Sequence, residues 1–295
     1  AHQEARQPLS LPQRRHQLAA LEERLRSVRF LSALHFATTA VYRDYLTRFA
    51  DDPDRGRMRY LLAEHLQRTA RLSTEKQRYV DHLVAAAEQY RLARDQFAAD
   101  GSTDLLEAAA LGAITVLGEA VEVEPLPNDE LAAGQQPIPP NYRRLLTALE
   151  AYGRLPHVES RAEALYERGR IYSVFLHKAQ ARKQFARVIE TYPQRRVGCL
   201  AAQLDLDLLN LSKDFAALES AAVTYAELSE LSCNSSQRRA FSEIAVKAAF
   251  KQAETLEKSG QFLPAATAYL AFNRAYPNNR YREIAVNNAA VCFDK

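Results

Sequence analysis

The sequence predicts an all-α protein, a solenoid built from antiparallel helix pairs. Three observations carry this. Ala, Leu, Glu, Gln and Arg dominate the 295 residues while Gly is held to 9, a composition of strong helix formers. A pattern of small residues, aromatics and a closing proline runs through Ala162, Gly169, Tyr172, Ala181, Phe185 and Pro193. The same pattern returns at Ala253, Ala265, Tyr269, Phe272 and Pro277. A small residue lets two helices touch, aromatics fill the space beside the contact, and proline stops the second helix because it cannot continue one. A chain that repeats such a unit stacks it into an array in which each unit packs on its neighbours.

The prolines set the register of the elements. Eight and thirteen residues after Pro156 stand Ala164 and Gly169; after Pro193, Ala201 and Leu206; after Pro277, Ala285 and Ala290; after Pro53, Leu61 and Leu66. Each proline therefore marks a turn, followed by an inner helix with apolar or small residues along one side. Residues 1–100 are expected to form an N-terminal helical region of degenerate pairs. The first pair spans about 10–52, with Val41, Tyr45 and Phe49 on one face, and the second about 57–98, ending in Tyr90 and Phe97. Residues 101–140 interrupt the array with an apolar helix and then an acidic, Pro-rich loop. This segment reads either as a hinge between two arrays or as an insertion packed on one continuous solenoid. Residues 141–295 form the main array. It holds an outer helix at 141–155, the clearest pair at 160–193, a degenerate pair at 197–230 without its closing proline, and a pair at 236–277 with a lengthened inner helix. A last inner helix at 280–293 has no partner. Its Val286, Ala290 and Phe293 are expected to be covered by further chain or by another molecule, a second copy included.

Charge excludes some functions. The formal net charge is +3, and acidic and basic residues alternate at helical spacing, which describes solvated helix faces rather than the one-signed stripe that nucleic acid requires. Residues 101–140 carry no Lys or Arg and seven acidic residues. Arg outnumbers Lys 31 to 8, a composition of high-GC genomes and hence of bacteria. The longest apolar run, residues 108–118, falls far short of the ~20 residues of a membrane span. The chain begins at Ala1 rather than Met, so a leader or lipid-anchor cysteine upstream is compatible with it.

The chemistry of a catalytic or metal site is not apparent. There is no Gly-rich phosphate loop and no His-Glu-x-x-His, and the seven histidines, never three or four residues apart, are expected at surface or half-buried positions. Asp52 and Asp54 resemble the start of a calcium loop but lack its later ligands; they read as a helix stop and an N-cap. Asp205 and Asp207 fall on different sides of a helix and do not make an acid–base pair. Cys199, Cys233 and Cys292 show no metal spacing. Cys199 and Cys292 are expected as small core residues, and Cys233 lies in a loop; a Cys199–Cys233 bridge is the alternative in an oxidising compartment. No catalytic residue, cofactor or metal is therefore expected.

The repeat grammar resembles a known family. Residues 160–193 match the tetratricopeptide pattern at Gly169, Tyr172, Ala181, Phe185 and Pro193. Residues 246–277 match it at Ala253, Ala265, Tyr269, Phe272 and Pro277, with Leu256 in place of the inner-helix Tyr. The chain thus resembles the tetratricopeptide repeat superfamily over about 160–295, and more loosely over 10–98. The Tyr-Pro endings are similar to the variant found in bacterial envelope proteins: Tol–Pal accessory proteins, outer-membrane assembly lipoproteins and gliding-motility machinery. The resemblance implies a right-handed superhelix and a non-enzymatic scaffold that binds other proteins, in the periplasm or at the outer membrane. A cytosolic adaptor or co-chaperone-like regulator is the alternative. The Lys and Asn of the members that clamp peptide carboxylates are replaced by Tyr166 and Arg170, which removes the basis for that mode. On inner helices the side chains not needed for packing, and so able to contact a partner, are Tyr166 and Arg170, Lys247 and Phe250, and Asn287. Tyr, Phe and Arg are common interface anchors, and an Asn amide can bond a peptide backbone in both directions. The plainer reading of the same residues is ordinary solvation, with Tyr166 and Phe250 partly covered by neighbours. Gly169 and Ala181 are expected to face each other where their helices cross.

Overall fold

The structure, a computed structural model, describes residues 10–27, 32–103, 105–126 and 134–295. Among the described residues there are thirteen helices and no strand. Helices adjacent in sequence pack on one another within each of two compact units, as a helical repeat requires. Unit 1 covers residues 1–131 and 137–159, and unit 2 covers 132–136 and 160–295.

Unit 1 holds α1 (Leu11–Ser27), α2 (Ser32–Arg48), α3 (Arg55–Ala70), α4 (Lys76–Ala99), α5 (Leu106–Glu122) and α6 (Pro140–Arg154). The apolar run of residues 101–140 is α5, and it packs between α4 and α6. Flanked on two sides, α5 buries Ala109, Ala113, Val116, Leu117 and Ala120. Its acidic residues fasten the neighbours. Tyr79 of α4 donates to Glu119 (3.3 Å) and Tyr152 of α6 donates to Glu107 (2.7 Å). The helix of this segment is thus part of a packed layer. Helix α6, which the sequence grouped with the C-terminal array, belongs to unit 1. Residues 127–133 of the acidic, Pro-rich loop lie outside the described residues. Pro140 opens α6 at the first helical position, where its missing N–H costs nothing.

Two local expectations in unit 1 need correction. Asp54 is the residue before α3, yet its side chain makes no capping bond. Asp52 holds the preceding turn: it is 7% exposed, binds Arg15 (2.7 and 3.0 Å) and accepts from the Asp54 N–H (3.1 Å). His35 and His65 are not surface residues. Both are buried with rings stacked 5.2 Å apart, and His65 Nε2–H donates to the His35 carbonyl at 3.0 Å, which offsets the cost of burying a polar ring.

Unit 2 holds α7 (Arg161–Val174), α8 (Lys178–Thr191), α9 (Arg196–Leu211), α10 (Phe215–Glu227), α11 (Ser235–Lys258), α12 (Phe262–Ala275) and α13 (Arg282–Phe293). The turn inside each pair is the same object three times. Leu176, Lys213 and Gly260 each stand two residues before the next helix with φ of 57°, 55° and 77°. The following N–H reaches back to Tyr172, Leu209 and Leu256 at 2.8, 3.2 and 3.0 Å, the long bond of a Schellman cap. Between pairs, the N–H of Arg195 and of Asn279 bonds Tyr192 and Tyr276 across the two Tyr-Pro turns. The degenerate pair keeps this turn without proline, through Leu231 N–H to Leu228 at 3.1 Å. Arg238 replaces the missing rigidity by donating to the carbonyls of Ala226, Leu228, Ser229 and Leu231. Cys199 and Cys233 form a disulfide that ties the same loop to α9, while Cys292 is free and buried.

The core of unit 2 has two clusters, and the 24-residue α11 serves both. Its first half, with Phe241, Ala245 and Ala248, closes on α9 and α10; its second half, with Ala249 and Ala253, closes on α12 and α13. That double duty accounts for its length. Ala181 is not the side chain nearest to Gly169. The space beside it is filled by Phe185, one turn further along α8. Gly56 and Gly112 likewise face Phe97 and Tyr90, so a glycine–aromatic contact recurs between neighbouring helices of both units.

Candidate interaction groove

The sequence-selected residues part company in the structure. Tyr166 is half-buried, its ring 6.1 Å from that of Phe185, and burial pushes its hydroxyl pKa up; it is a packing residue of α7. Arg170 is exposed and held by Glu167 one turn back at 2.6 and 2.8 Å. Phe250 lies at the centre of an aromatic cluster, 5.5, 5.4 and 5.2 Å from the rings of Tyr269, Phe272 and Tyr281, and is committed to joining α11, α12 and α13. Asn287 is exposed on a shallow face of α13 beside Arg282, Val286 and Ala290, with no opposing wall.

Lys247 is the one of the five that stands in a groove with other elements. Helices α9 and α11 both pack on α10 and leave between them a groove of about 330 Å³. Leu206, Phe215, Leu218, Ile244 and Ala248 line its apolar part. Asp207 and Asn210 stand on the α9 wall, three residues apart and so on one face; Lys247 and Lys251, four apart, stand on the α11 wall. Lys251 is paired with Glu254 at 2.8 Å. The side chains of Asp207, Asn210 and Lys247 have no hydrogen-bond or ion-pair partner among the described residues, and burial raises the Asp207 carboxyl above its ordinary value. Asp205, two residues earlier, is turned into the protein and accepts from Arg182 (2.8 Å) and Tyr225 (2.9 Å). The two aspartates do point to different sides, and only Asp207 is available.

Sequence reasoning weighed Asp207 only as half of an acid–base pair and did not select Asp207, Asn210 or Phe215 for partner binding. The spacing of Asp207 and Asn210 was legible, but their relation to Lys247 exists only once α10 holds α9 and α11 apart. Chemically the groove offers an apolar floor, one wall of acceptor and amide character, and one wall of cations. That arrangement suits an extended polypeptide with an apolar side chain in the floor and backbone amides on Asn210. Among the described residues no group of three or more His, Cys, Asp or Glu side chains is placed to hold a metal ion, and no helix is long and apolar enough to cross a membrane. Neither the models of protein families nor the curated proteins contain a match to this chain.

Proposed function

We propose that this chain is a non-catalytic scaffold of the bacterial cell envelope that binds partner proteins, with its helix pairs wound in the right-handed superhelix of tetratricopeptide arrays. The observation that carries the reading is the α9–α10–α11 groove, whose unpartnered Asp207, Asn210 and Lys247 flank an apolar floor. The Cys199–Cys233 bridge supports an oxidising compartment over the cytosol, because cytosolic reductants keep such thiols reduced. The recurring turns of unit 2 support the repeat reading.

The test is site-specific photo-crosslinking of the full-length protein in its native cells, with the crosslinker at Asn210 and, as a control, at exposed Thr267 on α12. Envelope proteins are expected to attach at position 210 and not at 267, with the yield falling when Lys247→Glu is added. Attachment of cytosolic chaperones alone would sink the envelope assignment. A yield indifferent to Lys247→Glu would sink the groove.

A further inference from the structure

Unit 1 has a second groove of a different character. Helices α4 and α6 flank α5 and enclose about 600 Å³ over an apolar floor that includes Ala113, Leu117 and Ala148. Four arginines stand around it: Arg91 and Arg94 on α4, Arg143 and Arg144 on α6. Glu88 is the lone acid in the lining, so the formal charge is 4 − 1 = +3.

The two walls differ in how far that charge is already answered. On α4, Arg91 binds Glu88 (2.6 Å) and Asp95 (2.8 Å), and Arg94 binds Asp95 (2.5 Å). On α6, Arg144 bonds only the neutral amide oxygen of Asn141 (2.6 Å), and the Arg143 guanidinium has no partner among the described residues. Both α6 arginines are exposed. A guanidinium takes a carboxylate through two parallel hydrogen bonds, a geometry a planar fork supplies without reorganisation. The floor between the walls is apolar and takes an aliphatic side chain.

We propose that this groove binds an acidic, extended segment of a partner protein, with carboxylates on Arg143 and Arg144 and an apolar side chain over Leu117. Nucleic acid fits less well, because no aromatic lines the groove for base stacking. The inference is independent of the unit 2 groove. That groove is walled by α9 and α11, the first helices of their pairs, whereas α4 and α6 are second helices.

The experiment is fluorescence anisotropy with the full chain and a labelled twelve-residue peptide of Glu-Glu-Leu repeats, beside the same peptide with Gln for Glu and a labelled single-stranded DNA of equal length. The Glu peptide is expected to bind, to weaken as salt rises, and to weaken about tenfold in the Arg143→Glu, Arg144→Glu double variant, since two ion pairs become two repulsions. Lys247→Glu is expected to leave this binding unchanged, which separates it from the unit 2 groove. If the double variant does not fold, Arg143→Gln alone is expected to lower affinity about threefold. No saturable binding of the Glu peptide, equal binding of the Gln peptide, equal binding by the charge-reversed variant, or tighter binding of DNA would each overturn the proposal.

Discussion

The contact between Gly169 and Phe185 offers a quantitative test of how the helix pairs are built. In Gly169→Ala the new Cβ would lie 2.5 Å from Phe185 Cε1 and 2.7 Å from Cδ1. Carbon atoms rest about 3.5–4.0 Å apart, so the overlap is about 1 Å. Phe185 is fully buried within the α7–α11 core, so its ring has little room to withdraw. Overpacking of this kind costs about 1–3 kcal/mol. Against it stands the helix preference of Ala over Gly, about 0.8–1.0 kcal/mol. The net is a loss of about 0–2 kcal/mol. Gly118, in the interior of α5, has nothing within 4 Å of a new Cβ, so Gly118→Ala keeps the preference without the overlap and is expected to stabilise. Urea unfolding followed by circular dichroism reads both. A double-mutant cycle isolates the contact: Phe185→Leu shortens the opposing side chain, and Gly169→Ala in that background should cost less than alone. If Gly169→Ala stabilises as Gly118→Ala does, or if the cycle shows no coupling, Phe185 does not sit over Gly169 and the assigned packing of α7 on α8 is wrong.

Two further outcomes are expected. The Cys199–Cys233 bridge closes a 34-residue separation, which by chain entropy contributes about 3–4 kcal/mol; reductant should lower the urea midpoint of the native protein and leave Cys233→Ser unaffected, and a native midpoint insensitive to reductant would count against the bridge. Burial holds the hydroxyl pKa values of Tyr225, Tyr269 and Tyr276 above the ordinary range, and their acceptors Asp205, Glu257 and Glu219 add to the shift. The unfolded chain releases these protons near pH ~10 while the folded chain keeps them, so stability is full below that point and falls as pH rises beyond it. Tyr225→Phe should flatten part of that fall, and a midpoint constant from neutral to strongly alkaline pH would refute the shift.

Much of unit 2 was legible because its signals are short-range. Pro193 and Pro277 end helices whatever surrounds them, and the small and aromatic spacings at Gly169 and Phe185 follow from one helix turn. Even the degenerate pair is helical without its proline, because Leu218 and Ala222, four residues apart, keep the spacing of a buried stripe. Unit 1 was harder. The apolar run of α5 read as an interruption because nothing local says that a helix will be covered on two sides. The buried histidines were missed because their burial is tolerable only through a carbonyl and a ring supplied by another helix.

The same division holds for function. By itself the sequence determined an all-helical chain, the start and stop of most helices, and the repeat in its C-terminal half. These depend on backbone preferences and on neighbours a turn away. Only the tertiary structure decided that Leu176, Lys213 and Gly260 are one turn in three spellings, because several residue types tolerate a left-handed φ once two backbone bonds hold it. It also decided that Phe250 packs against the core through three aromatic rings, that Lys247 shares a groove with Asp207 and Asn210, and that four arginines line the groove of unit 1. Each of these is a distance between side chains far apart in sequence, and such distances exist only after the intervening helix has set how far apart its neighbours stand.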